Sequence, residues 1–141
     1  MYLSRLHISK FRVFDDITLY FKNGINILIG ENNSGKTAII DALRICLGCG
    51  KPDNFIYVQD GDLHVNPENP SEINTVIQFD LIFEFGDASI ERECFYDFIS
   101  QDKDNPDKQT IQLHLKFIQE NNGKKKYFKR IIWGGDNEGQ Q

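Results

Sequence analysis

The protein has 141 residues and a mass of 16.3 kDa, enough for one domain around a single core but not for two. Hydrophobic residues make up 40%, aromatic residues 12% and charged residues 26%, which excludes disordered, collagen-like and coiled-coil classes. The net charge of −5 divides into +2 over residues 1–50, −11 over 51–107 and +4 over 108–141, which permits a nucleic-acid surface but excludes a uniformly basic binder.

The sequence contains no clear targeting signal, and its cysteines do not indicate a specific chemistry. No apolar run approaches the roughly 20 residues that cross a bilayer, and the N-terminus alternates apolar with polar residues. We therefore expect a cytoplasmic protein without a membrane partner. Cys46, Cys49 and Cys94 are an odd number, which disfavours a disulfide framework. Cys46 and Cys49 have C-x-x-C spacing, but they lie near the end of a predicted helix, where a redox pair is not favoured.

The first 50 residues predict two strands, a third apolar strand, a glycine-rich loop and a helix. Alternation indicates strands over residues 2–10 and 17–21. Residues 25–29 read as a short strand buried on both faces. Apolar residues at helical spacing, Ile39, Ile40, Leu43 and Leu47 among them, predict a helix over residues 36–47, with Gly48 as its C-cap.

The rest of the chain predicts an antiparallel subdomain after a long excursion. Residues 51–73 contain three of the four prolines and are predicted to run over the surface. Strands are predicted over residues 74–85, 110–119 and 124–133, and a helix from residue 87 to about 99. Asn121, Asn122 and Gly123 predict a hairpin turn. We thus divide one partial domain into residues 1–50, the excursion 51–73, a β-subdomain 74–133 and a polar tail 134–141.

One motif carries chemistry. The octapeptide Gly30-Glu31-Asn32-Asn33-Ser34-Gly35-Lys36-Thr37 fits G-x-x-x-x-G-K-[ST], directly after a predicted strand and before a predicted helix. Glycines let the backbone approach a polyphosphate closely, and successive N–H groups at a helix N-terminus face its oxygens. The candidate nucleotide-binding residues are Gly30, Glu31, Asn32, Asn33, Ser34, Gly35, Lys36, Thr37 and Ala38.

The two side chains that end this motif predict a magnesium-bound nucleotide. The Lys36 ammonium would reach the terminal phosphates, and the Thr37 hydroxyl would bind a magnesium ion that bridges two phosphates. Partner motifs are missing: Glu84 lies within an alternating strand rather than after a buried one, so it is not favoured as a catalytic carboxylate. Residues 136–139 match the D-x-x-G of GTPases, but no N-K-x-D motif accompanies them.

A family resemblance follows from residues 3–47. The stretches LHISKFRVF, LYFKNGINILIGENNSGKT and IIDALR resemble the N-terminus of RecF/SMC-type ABC ATPases, and within them the OLD (overcoming lysogenisation defect) family. The resemblance implies an α/β fold, a partial P-loop NTPase of the ABC type with an antiparallel β-subdomain. It also implies ATP and Mg as cofactors, DNA as a partner, a homodimer of ATPase heads, and work as an endonuclease in DNA repair or phage defence.

The resemblance also adds site residues. Asn32 would lie near the terminal phosphate, and Lys10 and Arg12, at the matching Lys-x-Arg strand end, are candidate nucleotide contacts. The Q-loop, signature motif, Walker B pair and Toprim metal ligands of the family are not identifiable, so the catalytic residues are unknown. We therefore expect the N-terminal portion of a longer ATPase, which would bind nucleotide but hydrolyse it poorly without those groups.

Three functions are compatible with these sequence features. The first is the ATP-binding lobe of an OLD-like DNA endonuclease, the second the head of a RecF-like or SMC-like repair ATPase, and the third a stand-alone nucleotide-binding module. The basic run from Lys124 to Arg130 interleaves cations with aromatic side chains and suits phosphate backbones, but a solvated hairpin strand is the favoured interpretation.

Overall fold

A computed structural model describes residues 1–48, 56–86, 89–102 and 105–136. Their strands form one antiparallel sheet in the order β2-β1-β3-β5-β4, and β6 also pairs with β5. The strands are β1 Tyr2–Phe11, β2 Phe14–Tyr20, β3 Val76–Glu84, β4 Ile99–Gln101, β5 Gln109–Asn121 and β6 Lys126–Gly134. The helices are α1 Lys36–Leu47 and α2 Ser89–Cys94, with single 3₁₀ turns at Asp60–Asp62 and Tyr96–Phe98.

The core lies between one face of this sheet and α1. Alternation places Leu6 and Ile8 of β1 opposite Leu81 and Phe79 of β3, and all four side chains are fully buried. The buried stripe of α1 packs over them, and its members are Ala38, Ile39, Ala42, Ile45 and Cys46. Aromatic edge-to-face contacts fill the centre, with the ring centroids of Phe11 and Phe79 5.1 Å apart. The core therefore fixes α1 against the sheet.

The helix predicted over residues 36–47 has those bounds, but its buried face differs from the predicted one. Ile39 is buried, whereas Ile40 and Leu47 are 48% and 53% exposed. Gly48 donates its N–H to the carbonyl of Arg44 at 2.9 Å and caps the helix in a right-handed conformation. The small residues Ala38 and Ala42 lie on the face of the helix that packs against the sheet.

The prediction of a buried strand over residues 25–29 is wrong for this structure. The segment is extended but pairs with none of the described strands, and Ile25 and Ile29 are each 92% exposed. A short apolar run becomes a buried strand only where neighbouring strands cover it. None of the described strands covers this one.

Two other element predictions need correction. The helix predicted from residue 87 to 99 is only the short α2, because a 3₁₀ turn follows it and residues 99–101 pair with β5 as β4. Residues 59–64, predicted to run over the surface, instead contact the end of β1: Phe11 and Leu63 form an isolated bridge, and Asp62 and His64 are buried. Cys49, residue 87 and residues 137–141 lie outside the described residues; Cys46 is buried and Cys94 exposed.

Candidate nucleotide-binding site

The glycine-rich loop leads directly into the first turn of α1. Gly35 is the N-cap, with φ of +94°, and its carbonyl accepts a hydrogen bond from the N–H of Ile39 at 3.0 Å. Asn33 also has a left-handed backbone, with φ of +74°. The N–H of Ser34 donates to the carbonyl of Glu31 at 3.2 Å and closes a turn within the loop. The loop thus has a defined curved backbone.

Steric contacts restrict both glycines of the motif, most severely Gly35. A Cβ atom on Gly30 would lie 2.6 Å from the hydroxyl oxygen of Ser34. On Gly35 it would lie 2.4 Å from the ring of Phe14 and 3.0 Å from Val13, besides the strain of its positive φ. Val13, between β1 and β2, and Phe14, the first residue of β2, therefore pack directly against the backbone of the loop at Gly35.

The N-terminus of α1 has the features of an anion site. No side chain caps it and no acidic residue lies in its first turn, so no carboxylate of that turn competes with an anion for the positive end of the helix dipole. The ammonium of Lys36 folds back and donates to the carbonyl of Gly30. Thr37 follows it in an exposed position. Backbone donors, one ammonium and one hydroxyl are thus gathered within eight residues.

Lys10 and Arg12, predicted as nucleotide contacts, are engaged by carboxylates. Lys10 forms an ion pair with Asp15. Arg12 donates from Nε to Asp62 at 2.8 Å and from Nη1 to Asp41 at 2.6 Å. Although burial opposes its charge, these hydrogen bonds raise the pKa of Arg12 further above its ordinary value. The assignment of both residues to the nucleotide stays a prediction.

His64 makes contacts near this site that no sequence pattern predicted. Its backbone N–H donates to the carbonyl of Lys10 at 3.1 Å, and its Nδ1 donates to the carbonyl of Arg12 at 2.8 Å. Lys10 and Arg12 both have left-handed backbones, with φ of 58° and 51°. His64 holds these two strained residues from a segment more than 50 positions away.

A second polar cluster lies on the sheet face opposite α1. Register places His7, Asp80, His114 and Trp133 in one row across β1, β3, β5 and β6. Asp80 accepts hydrogen bonds from Nδ1 of His7 at 2.8 Å and of His114 at 2.5 Å, and the rings of His114 and Trp133 stack 5.1 Å apart. A cavity of about 500 Å³ opens over this row. His7, Asp80 and His114 each lie on the polar face of an alternating strand, but only the sheet register places them side by side.

Electrostatics couple His7 and Asp80. The hydrogen bond to Asp80 raises the pKa of His7 to about 9, against the opposing effect of burial and with further help from Asp16, which lies 3.0 Å from its Nε2. Burial by itself would raise the pKa of Asp80, but hydrogen bonds from His114, His7 and Gln78 hold it well below its usual value. His7 is therefore an imidazolium at neutral pH.

The described residues show neither a metal-ligand group nor a membrane-spanning helix, and most of their basic run lies on a strand. The described ranges contain no group of three or more His, Cys, Asp or Glu placed to hold a metal ion. None of the helices in those ranges is both long and apolar enough to span a bilayer. Along β6, Lys126, Lys129 and Arg130 are exposed, and Tyr127 donates its hydroxyl to Glu120 at 2.6 Å. The basic run thus forms the return strand of a hairpin, with most of its cations facing solvent.

The antiparallel sheet, the glycine loop and the helix that follows it define a P-loop NTPase of the ABC type, present in part, as the sequence predicted. A family model described as "AAA domain" matches residues 5–141, so the chain belongs to that family. A solved structure from work on ATP-driven dimerization and DNA-stimulated activation of SMC ATPases has the same fold. It matches with a TM-score of 0.60 and 17% identity, over 95% of this chain and 69% of that one.

Curated relatives match about a third of the chain. The DNA replication and repair protein RecF of Limosilactobacillus reuteri is 42% identical over 45 residues, 32% of this chain and 12% of RecF. The DNA double-strand break repair Rad50 ATPase of Thermoplasma volcanium is 40% identical over 47 residues, 33% of this chain and 5% of Rad50. The match therefore spans about an eighth or less of these relatives. Together the comparisons support an ABC-type ATPase fold for this chain, with similarity to RecF, Rad50 and SMC proteins.

Proposed function

We propose that the protein binds Mg-ATP through residues 30–38. The observation that carries this proposal is the uncapped N-terminus of α1 behind a curved glycine loop, with the Lys36 ammonium folded over it. Phosphate oxygens would replace the Gly30 carbonyl as the acceptor for Lys36. Backbone N–H groups of the loop would bind the remaining oxygens, and Asn32 would lie near the terminal phosphate.

Thr37 is the residue that fits the magnesium ion. It follows Lys36 in the first turn and is exposed, so its hydroxyl is available to a cation held against the phosphates. The ion would neutralise phosphate charge that a protein of net charge −5 would otherwise repel. A direct nucleotide contact by Lys10 or Arg12 would require each side chain to leave its carboxylate partners first.

Replacement of Lys36 by alanine tests the proposal. We expect calorimetric titration to show ATP binding by the protein in magnesium buffer and a loss of at least tenfold in affinity for Lys36→Ala, because no other cation of the motif replaces the ammonium. The matched control is Lys126→Ala, which removes an exposed lysine from β6 and should leave affinity unchanged. Equal affinities for the protein and Lys36→Ala would refute the proposed site.

We further propose that this ATP-binding unit serves an ATPase that acts on DNA as a dimer of heads. The SMC ATPase structure was determined in work on ATP-driven dimerization and DNA stimulation, and the RecF and Rad50 relatives are DNA repair proteins. The exposed residues 25–29 support it, because paired strands from the rest of an ATPase head would bury Ile25, Ile27 and Ile29. Sedimentation velocity of the natural gene product with and without Mg-ATP would test this proposal. A dimer that forms only with Mg-ATP would support it.

An OLD-like endonuclease is the second candidate. The observation that favours it is the form of the loop, Gly-Glu-Asn-Asn-Ser-Gly-Lys-Thr at residues 30–37, together with Lys-Phe-Arg at 10–12. The deciding experiment is incubation of the natural gene product with supercoiled plasmid DNA and magnesium. Cleavage that EDTA abolishes would support the endonuclease, and intact plasmid would leave the repair ATPase as the better candidate.

A further inference from the structure

Arg12 is the point at which three parts of the molecule meet. It lies in the turn between β1 and β2, and its guanidinium reaches Asp41 on α1 and Asp62 on the 3₁₀ turn at residues 60–62. Its backbone N–H also donates to the carbonyl of Asp62 at 2.7 Å. The guanidinium lies over the ring of Phe11, 4.9 Å from its centroid. Side chain and backbone are therefore both held.

The two carboxylates that bind Arg12 are themselves fixed. The side chains of Asp41 and Asp62 are 16% and 12% exposed, so their ion pairs are shielded from solvent. The second oxygen of Asp62 accepts the backbone N–H of Gln59 at 2.9 Å. Asp41 also lies 3.5 Å from Arg44, one turn further along α1. Arg12 thus joins two anchored acids rather than mobile surface groups.

The same turn contacts the glycine loop at a second point. Val13 and Phe14, the residues after Arg12, fill the space beside Gly35 at the start of α1. Asp41 follows Gly35 by six residues, which corresponds to about 9 Å along a helix. The residues after β1 therefore contact α1 at its N-cap, Gly35, and again at Asp41 in its second turn. Contacts at two points fix both the position and the direction of a helix.

We propose that Arg12, Asp41 and Asp62 form a clamp that positions the start of α1, so that Arg12 acts on bound nucleotide through the helix and not by touching it. The proposal rests on the nucleotide site described above. Both Nε and Nη1 of Arg12 already bind carboxylates, and the left-handed backbone that aims the side chain is held by His64. Arg12 is thus a positioning residue.

A double-mutant cycle separates a clamp from a direct contact. We expect Arg12→Gln and Asp41→Asn each to weaken ATP affinity by about tenfold. The double variant should be no weaker than either single variant, because each of the three breaks the same link between Arg12 and α1. If Arg12 instead contacts phosphate directly, Asp41→Asn should have a different effect. It would free Arg12 and leave ATP affinity unchanged or improved. That pattern would overturn the clamp. Arg44→Gln, which removes only the outer partner of Asp41, is the matched control and should have little effect.

Hydrogen exchange provides a readout that does not depend on nucleotide. In protein without ligand, Arg12→Gln and Asp41→Asn should both accelerate amide exchange in residues 37–41, while strand β5 stays protected. Unchanged exchange in α1 would refute the clamp even if ATP still binds. Failure of the unmodified protein to bind ATP, with exchange accelerated in both variants, would instead refute the nucleotide site and retain the clamp as a structural device.

Discussion

The carboxylate of Asp80 accepts hydrogen bonds from two imidazoles on the neighbouring strands, and it thereby links folding stability to pH. His7 has a pKa of about 9 in the folded protein, against about 6.5 for an unfolded chain. A raised pKa stabilises the fold fully below pH 6.5, and the contribution is lost as pH rises through 9. The lowered pKa of Asp80 acts in the other direction, so its contribution is lost only in acid.

We therefore expect His7→Gln to cost about 1–2 kcal/mol of unfolding free energy near pH 6, an amount that allows for solvent screening of a side chain 29% exposed. The difference from the unmodified protein should shrink towards zero above pH 9. Urea unfolding at unit steps from pH 5 to pH 10 measures it. A difference that stays constant across this range would show that the imidazole contributes by packing and not by charge.

A comparison of two glycines with similar backbone conformations allows the energetic effect of packing at the glycine loop to be measured. Gly24 and Gly35 have φ of +105° and +94°, but a Cβ atom on Gly24 would meet no atom within 4 Å, whereas one on Gly35 would strike Phe14. Gly24→Ala should cost about 1–2 kcal/mol from backbone strain alone. Gly35→Ala should cost about 2–4 kcal/mol, because overpacking adds to that strain.

Thermal unfolding of both variants would measure these costs, and Phe14→Leu supplies a further check. In the Gly35→Ala background it should recover part of the loss, because a smaller side chain relieves the contact. Equal losses for the two glycines would mean that Phe14 moves aside freely.

Among the elements, those that depend on local signals were predictable and those that depend on distant partners were not. The bounds of α1 follow from the glycine loop before it and the apolar spacing within it. Residues 25–29 have an equally clear apolar pattern, yet their burial depends on strands that are not their neighbours in sequence. His7, Asp80 and His114 are separated by 73 and 34 residues, so only sheet register brings them together.

The apolar segment at residues 25–29 carries a prediction of its own. Ile25 and Ile29 are almost fully exposed, which favours self-association and dye binding. Ile25→Asn with Ile29→Asn should lower ANS fluorescence at equal protein concentration and reduce association in sedimentation velocity, with unchanged circular dichroism. The control is Thr18→Asn, a polar exchange on the edge strand β2, which should change neither measurement. Equal ANS signals for the apolar variant and the protein would locate the exposed apolar surface elsewhere.

At the scale of the molecule, the fold class and the loop could be read from the sequence, while the arrangement around the loop could not. The motif at residues 30–37 was predictable because its glycines and lysine are close in sequence and act together in one loop. The carboxylates that engage Arg12 come from α1 and from the segment at residues 59–64, and no spacing rule connects these three places. Predicting such a cluster would require the sheet register first.

The position of β3 in the sheet has a consequence for how the chain assembles. The hairpins β1–β2 and β5–β6 form from nearby residues, whereas β3 must join β1 across about 70 residues, and the glycine loop and α1 lie inside that interval. Pairing β3 with β1 closes a long loop, and this is slower than forming a hairpin. The loop-closure entropy is lost before the contacts between the two strands form. We expect both hairpins to form early and ATP binding to appear only in the slowest refolding phase, when β3 joins them. A stopped-flow experiment with a fluorescent ATP analogue would time that step against the formation of strand signal.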